Sequence, residues 1–410
     1  MKTCGLLGRK LGHSYSPQIH AHLGSYSYSL FEKEPEELGV FLKSGKFDAI
    51  NVTIPYKKDV IPFLDELSPI AMKLGSVNTI VRREGRLIGH NTDYYGFRFM
   101  LERSGLICTG KKVLVLGSGG ASVTICAVLE EAGALVTVIS RTGDNNYQNL
   151  HLHQDAAVIV NTTPVGMYPN TGVSPLDLSL FPRLEGVLDI IYNPARTKLL
   201  LDAEARELVT MNGLWMLVAQ AKEAAEWFTG EAIADNAIEA IHASLRRRME
   251  NYILIGMPGC GKSTIGSLLG QLTGRENRVV DADTEIERAA GKSIPAIFAQ
   301  DGVDAFRKLE TQVLAELGKQ SGLIIATGGG CVTRQENYPL LHQNGVLFWL
   351  QRDTALLPTE GRPLSQQNKL EEMYRVRKPL YEAFADCIVQ NNRSPEETAL
   401  EITKALEGLL

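Results

Sequence analysis

Gly256-Met-Pro-Gly-Cys-Gly-Lys262-Ser263-Thr264 follows an apolar run at 252–255 and keeps the spacing G-x-x-x-x-G-K-[ST]. A strand that feeds such a loop lets backbone N–H groups and the N-terminus of the next helix surround phosphates. Gly256, Gly259 and Gly261 permit the close approach, and Lys262 reaches the terminal phosphates. The Ser263 hydroxyl is placed for Mg²⁺, and Thr264 carries the loop into its helix. An ATP site on a parallel α/β sheet is the expectation. Much earlier, Gly117-Ser-Gly119-Gly120-Ala121-Ser122 follows a strand-like run at 111–116. That is a partial match to the dinucleotide turn G-x-G-x-x-G, with Ser122 at the third glycine. The next strand-like run, 135–140, ends in Ser140-Arg141-Thr142, where the residue that reads the ribose belongs. An arginine between hydroxyls suits a 2′-phosphate that an acid would repel, which favours NADP(H) over NAD(H). Two loops of different design predict two chemistries in one chain.

With 410 residues the chain exceeds one ordinary core and suits two or three domains. A net charge of -5 argues against a nucleic-acid partner, which would normally require a basic face. The N-terminal Met1-Lys-Thr-Cys-Gly-Leu-Leu-Gly8 lacks an apolar core followed by a cleavage site, and no apolar run is long enough to span a bilayer. No membrane partner and a cytoplasmic location are therefore expected, and homo-oligomerisation is left open. The six cysteines are scattered without C-x-x-C or metal-type spacing, as expected of reduced thiols. Cys260, inside an anion-binding loop, is where a thiol's pKa can fall and redox control could act.

Strand-like and helical runs alternate along the whole chain. Residues 1–96 mix a strand-like run at 47–54 with helical ones at 34–43 and 70–74. Over 97–212, strands are expected at 111–116, 135–140, 157–161 and 186–190, with a helix at 122–132. Helices follow at 214–228 and 232–248, split at Gly230. A second series then runs through 252–255, 278–281, 323–327, 346–351 and 387–390. Alternating strand and helix imply parallel sheets covered by helices.

The strings around the first loop carry more chemistry. Gly12-His13-Ser14-Tyr15-Ser16-Pro17 places two hydroxyls two residues apart, able to converge on a carboxylate. Asn51-Val-Thr53-Ile-Pro55-Tyr-Lys57 sets an amide, a hydroxyl and an amine at a strand end. Ser76-Val-Asn78-Thr and Gly89-His-Asn91-Thr-Asp93 add an amide and a carboxylate. With Asn161-Thr-Thr-Pro-Val-Gly-Met167, Asp189-Ile-Ile-Tyr-Asn-Pro194 and Gly213-Leu-Trp-Met-Leu-Val-Ala-Gln220, these motifs resemble, in order, those of shikimate dehydrogenases across residues 1 to about 245. The resemblance implies a substrate domain of 1–96 and 213–248, with a Rossmann NADP-binding domain at 97–212. It implies Lys57 as the acid with Asp93 orienting it. Ser14 and Ser16 hold the substrate carboxylate, supported by Thr53, and Asn78, Asp93 and Gln220 meet ring hydroxyls.

Around the second loop stand Val280-Asp281-Ala282-Asp283, Ala305-Phe-Arg307-Lys-Leu-Glu310, Ala326-Thr-Gly328-Gly329-Gly330, Gly361-Arg362-Pro-Leu and Arg375-Val-Arg377-Lys-Pro-Leu-Tyr381. This set resembles shikimate kinases from about residue 250 onward. The resemblance implies a P-loop kinase domain at 249–410 with a parallel five-stranded sheet. In it Asp281 helps hold Mg²⁺ through water, and Asp283 takes the acceptor hydroxyl as base. Arg307 and Arg377 clamp the acceptor carboxylate, Gly329 and Gly330 let backbone approach the ring, and Lys262 and Arg362 face the transferring phosphoryl. The stretch Gln351-Arg-Asp-Thr-Ala-Leu-Leu-Pro-Thr-Glu-Gly361 departs from the family pattern. It is shorter than the usual approach to the lid and lacks the further arginine often found there against the nucleotide base.

Both catalytic sets are complete in the sequence, so the expected protein is a bifunctional enzyme with small-molecule substrates, 3-dehydroshikimate and shikimate. Its cofactors would be NADP(H), ATP and Mg²⁺. The alternatives are a quinate/shikimate dehydrogenase with an attached kinase, and a catalytically weak ligand sensor on the same folds. The presence of Lys57, Asp93, Lys262 and Asp283 speaks against the sensor.

Overall fold

The computed structural model describes residues 1–12, 14–358 and 367–408. They form two compact units. One comprises Met1–Val165, Ser174–Tyr192 and Leu199–Ser244; the other comprises Gly166–Val173, Asn193–Lys198 and the chain from Leu245 onward. Among the described residues, no helix is long and apolar enough to cross a membrane.

The first unit holds two sheets. β1 (Thr3–Gly8), β2 (Ser27–Glu32), β3 (Ala49–Val52), β4 (Glu66–Leu67), β5 (Thr79–Arg83) and β6 (Arg86–His90) form a six-stranded sheet in the order β2-β1-β3-β5-β6-β4. β1 pairs in parallel with β2 and β3, whereas β3–β5 and β5–β6 are antiparallel. The strand-like run at 47–54 contributes only four residues to β3. Ile54 is exposed and Pro55 has no N–H to donate, so the ladder stops where the polar motif begins. The helical run at 34–43 opens as a 3₁₀ turn, Pro35–Glu37, before the helix Leu38–Lys43.

The second sheet of this unit is wholly parallel: β7 (Lys112–Leu116), β8 (Leu135–Ile139), β9 (Val158–Asn161), β10 (Gly186–Asp189) and β11 (Val209–Asn212), ordered β11-β10-β9-β7-β8. Its inner strands β7, β9 and β10 are buried nearly throughout because both faces are covered. Val113 and Val115 of β7, with Val158 and Val160 of β9, pack into a core shared with the helices Asp93–Ser104 and Gly120–Glu131. The alternate residues Leu114, Leu116 and Ile159 pack into a second core with Phe181, Leu199 and Leu200. The period of two is therefore visible as two separate cores. β11 was not among the expected strands, since its four residues carry no clear alternation.

In the second unit β12 (Asn251–Ile255), β13 (Val279–Asp281), β14 (Ile324–Ala326), β15 (Gly345–Gln351) and β16 (Cys387–Gln390) form a parallel sheet ordered β13-β14-β12-β15-β16. Each expected strand is found within two residues of its predicted bounds. β12 lies at the centre, and its five residues are all buried. One core gathers Ile253, Leu254, Phe348, Trp349, Tyr381 and Phe384.

His20 marks a polar group committed to the first unit's interior. Its ring stacks on Tyr28 at 4.1 Å and on Phe228 at 5.5 Å, and its Nδ1 is 2.7 Å from the Tyr26 hydroxyl. Burial lowers its pKa to about 3, so the ring is neutral in the fold. The folded pKa is below the unfolded one, so the unfolded chain binds more protons between the two values. Stability is then lost as pH falls below about 6.5, by up to about 1.4 kcal/mol per pH unit. Chemical denaturation of the first unit between pH 7 and pH 4 should show this slope, and His20→Gln should flatten it. An equal slope in both proteins would refute the assignment.

Candidate active sites

In a parallel sheet every strand releases its following loop at the same edge, and a crevice opens where the strand order reverses. In the first unit that reversal lies between β7 and β9. A cavity of about 700 Å³ is found there, lined among others by Gly117, Ser118, Gly119, Ser140, Arg141, Tyr147 and Thr162 to Val165. Gly117 has a φ of +104° and faces the Thr162 hydroxyl, so a side chain at that position would be both strained and obstructed. Gly119 and Gly120 have open space where a Cβ would be, as a backbone cradle requires. Gly119 caps the helix Gly120–Glu131, whose N-terminal N–H groups face the same edge. Ser122, at the third glycine position, is buried. Gly120 and Ala121 form the first turn of this helix, and exposed Thr142 lies beside the lining rather than in it. Tyr147 is a lining residue that the motif did not reveal.

The polar strings of the first unit form a connected network. Lys57 Nζ donates to Asp93 Oδ2 at 2.6 Å, with the two side chains 28% and 15% exposed, a paired yet accessible amine. Asp93 opens the helix Asp93–Ser104, and its N–H is held by the Asn91 side chain at 3.1 Å. Asn78 Oδ1 accepts from the Thr92 N–H at 2.7 Å, and Asn78 Nδ2 donates to the Thr92 hydroxyl at 3.0 Å. The same hydroxyl donates to Gln220 Oε1 at 3.3 Å, on the helix Leu214–Thr229. Thr92, fully buried, is thus the knot between β5, β6 and the returning helix. Sequence reading passed over it because a threonine inside a motif carries no charge to attract notice.

Ser16 begins the helix Ser16–His20, and its N–H is bound by the Ser14 hydroxyl at 3.2 Å. Ser16 also lies against Tyr28, whose hydroxyl donates to Asn51 Oδ1 at 2.8 Å. Asn51 reaches Thr79 at 3.2 Å, which joins the network around Asn78. Thr53 is half-buried just beyond β3, with its N–H on the Leu7 carbonyl at 2.9 Å.

In the second unit the loop after β12 takes the conformation its glycines permit. Gly256, Gly259 and Gly261 have φ of +147°, +81° and +93°. Lys262 is 8% exposed and donates to the carbonyls of Gly256 and Met257 at 3.0 and 3.1 Å, folded back over its own loop. Ser263 and Thr264 open to solvent at the start of the helix Lys262–Thr273. Asp281 ends β13 and caps the helix Ala282–Ala290. Its Oδ1 accepts from the N–H of Asp283 at 3.0 Å, which turns Oδ2 to the Ser263 hydroxyl at 2.5 Å. Cys260 is fully buried, so oxidants lack the access that redox control through it requires.

Asp283, Gly328 to Gly330, Arg307 and Arg377 meet beside this loop. Partial removal of water around Asp283 and the nearby Asp281 charge raise its carboxyl above the ordinary range, against Lys262 and Arg307, although the side chain still opens to solvent. Gly329 is tightly packed on Pro258, and a Cβ on Gly330 would collide with the Arg307 guanidinium. Arg377 Nη1 and the Tyr381 hydroxyl both donate to the Gly329 carbonyl, at 2.9 and 2.5 Å. Glu310, fully buried, binds Arg307 at 2.5 Å, while its second oxygen lacks a partner among the described residues. Burial raises its pKa, and Arg307 opposes that shift. Glu310 and Tyr381 therefore hold parts of the site, roles that their place in the motifs did not disclose. Arg362 lies outside the described residues.

The shikimate kinase family model matches residues 258–407, and that of the shikimate dehydrogenase substrate binding domain matches residues 6–80. A shikimate dehydrogenase (NADP(+)) of Clostridium perfringens is 37% identical over 271 residues, spanning 60% of this chain and all of that protein. The Thermus thermophilus shikimate 5-dehydrogenase, solved in complex with NADP(H) and shikimate, is 33% identical. It superposes with a TM-score of 0.55 over 60% of this chain and 99% of its own. A chorismate mutase/shikimate 5-dehydrogenase fusion protein of Clostridium acetobutylicum gives a TM-score of 0.57 at 34% identity, over 60% of this chain and 97% of its own. With the full length of a curated dehydrogenase matched in its first part and the kinase model matched in its last, the chain belongs to the shikimate dehydrogenase family and carries a shikimate kinase domain after it.

Proposed function

We propose that this chain reduces 3-dehydroshikimate to shikimate with NADPH and then phosphorylates shikimate with ATP to give shikimate 3-phosphate. The observation that supports the reading is that one chain holds a Lys57–Asp93 pair and a dinucleotide crevice in one unit, and Asp283 with a phosphate loop in the other. The hydroxyl-bearing product of the first is the acceptor for the second. The corresponding partition is a substrate domain of 1–96 and 213–248, a nucleotide domain of 97–212 and a kinase domain of 249–410.

The crevice between β7 and β9 suits NADP(H): it has open glycines for the pyrophosphate and Arg141 in its lining for a 2′-phosphate. Bound there, the cofactor supplies hydride to the ketone carbon. Lys57 donates a proton to the oxygen that becomes alkoxide, and Asp93 stabilises the ammonium that must be regained between turnovers. Ser14, Ser16 and Thr53 hold the substrate carboxylate by neutral hydrogen bonds, and Asn78 and Gln220 read ring hydroxyls. Thr92 fixes those two amides relative to one another.

In the kinase half, Arg307 and Arg377 hold the same carboxylate by charge, which is the stronger form of recognition. Asp283 accepts the proton of the acceptor hydroxyl, and Lys262 leaves the carbonyls of its loop for the phosphates. Ser263 and Asp281 provide oxygen ligands only, which fits Mg²⁺ as a hard cation kept mainly by phosphates and water. Mg²⁺ there neutralises phosphate charge. Gly256, Gly259, Gly261 and Thr264 shape the loop, and Arg362, outside the described residues, is assigned to the transferring phosphoryl by the family resemblance.

The direct test is one incubation with 3-dehydroshikimate, NADPH, ATP and Mg²⁺, following NADPH absorbance and identifying products by mass. Formation of shikimate 3-phosphate is expected; loss of NADPH that stops at shikimate would remove the kinase assignment, and no turnover would remove both. Lys57→Ala should lower the reductase kcat by about 10²-fold or more and leave phosphorylation of supplied shikimate unchanged, with Asp283→Asn doing the reverse. Since Asp283 acts as the carboxylate and its pKa is raised, kinase kcat/KM should fall as pH drops through a value above the ordinary carboxylate range. A profile flat down to the ordinary range would count against Asp283 as base. Arg141→Ala should raise KM for NADPH about tenfold while leaving that for NADH nearly unchanged. Equal losses with both cofactors would show that Arg141 does not read the 2′-phosphate.

A further inference from the structure

β15 runs beside β12 in register, with Trp349 opposite Ile255, so the residues after both strands emerge together. Gly256 packs against the end of β15: a Cβ there would lie 2.8 Å from the Leu350 carbonyl. Two residues after Leu350 comes Arg352. Its Nη1 lies 3.9 Å from the position a Cβ would take on Gly261, the glycine that caps the phosphate-loop helix. Its Nε is shielded from solvent and, among the described residues, has no hydrogen-bond partner. Among the described residues no carboxylate forms an ion pair with it, while the neighbouring Asp353 has its N–H tied to the Asn392 side chain at 2.9 Å.

An arginine can lie along a protein surface only to cover it with its stem. Such an arginine normally sends its head into water, yet the Nε here is buried and unsatisfied, which is costly without an anion to meet it. The adjoining loop is built to hold anions, and its backbone cradles the inner phosphates of a nucleotide. We propose that Arg352 is a nucleotide-binding residue of the kinase site, with its guanidinium on the phosphate chain of ATP or ADP. It acts from the end of β15 while Lys262 acts from within the loop. Its planar fork can grip two phosphate oxygens, which a lysine ammonium does not reproduce. Its place at Gly261 separates it from the acceptor cluster of Asp283, Arg307 and Arg377. The inference rests on the nucleotide reading of the second unit and adds a residue to it.

The test is equilibrium binding of ADP with Mg²⁺ to the full chain, together with kinase kinetics. Arg352→Met keeps the stem and removes the charge. It should weaken ADP and raise KM for ATP by about tenfold or more, the scale of a charge-assisted hydrogen bond, with KM for shikimate within about twofold. Arg352→Lys should recover only part of the loss. Competition by adenosine should be unaffected, because the contact is to phosphate. An unchanged melting transition of the second unit would confirm that Arg352→Met is folded. Wild-type ADP affinity in Arg352→Met would overturn the proposal and leave a packing role, and an equal loss for adenosine would overturn the phosphate assignment. Failure of the wild-type chain to bind ADP would instead refute the nucleotide reading.

Discussion

Parallel pairing is the constraint on which both nucleotide-binding edges depend. When neighbouring strands run the same way, each must be followed by a crossover, and the turns that begin those crossovers collect at one edge. In the first unit that edge carries Gly117 after β7, Ser140 and Arg141 after β8, and Thr162 after β9. In the second it carries the phosphate loop after β12, Asp281 and Asp283 at the end of β13, Gly328 to Gly330 after β14, and Arg352 after β15. Residues far apart in sequence become neighbours there without any direct affinity for one another.

Such an edge has a cost that the structure meets locally. Helix starts and strand ends carry unpaired N–H groups, and polar side chains near them lose water. Asp281 resolves this by capping a helix with one oxygen and holding Ser263 with the other. Asn78 and Thr92, both buried, exchange two hydrogen bonds. Glu310, like Arg352, is an exception, since among the described residues one of its oxygens is buried and unpartnered. Its pairing with Arg307 fixes a guanidinium against Gly330, where any side chain would collide. A buried charge that orients another charge is a costly device for stability and an effective one for position.

Under the proposed function the two halves meet the same carboxylate by different means. The first offers the hydroxyls of Ser14, Ser16 and Thr53 and an amine, Lys57, that is already paired with Asp93. Neutral donors there keep extra positive charge away from the amine that must give up a proton. The second offers arginines, suited to phosphoryl transfer, which depends mainly on positioning and charge neutralisation.

By itself the sequence determined nine of the ten strands of the two parallel series, the phosphate loop, the dinucleotide turn and the candidates Lys57, Asp93, Asp281 and Asp283. These are legible because they depend on local properties: apolar runs, glycines at positive φ, and charges at fixed spacing. The tertiary structure alone decided what Thr92, Tyr147, Glu310, Tyr381 and Arg352 do. Each is an ordinary residue within its own stretch, and its meaning comes from a partner distant in the chain: Thr92 from Gln220, Arg352 from Gly261. It also decided that β3 ends before Ile54 and that β11 exists, since a short strand is held by the ladder beside it rather than by its own residues.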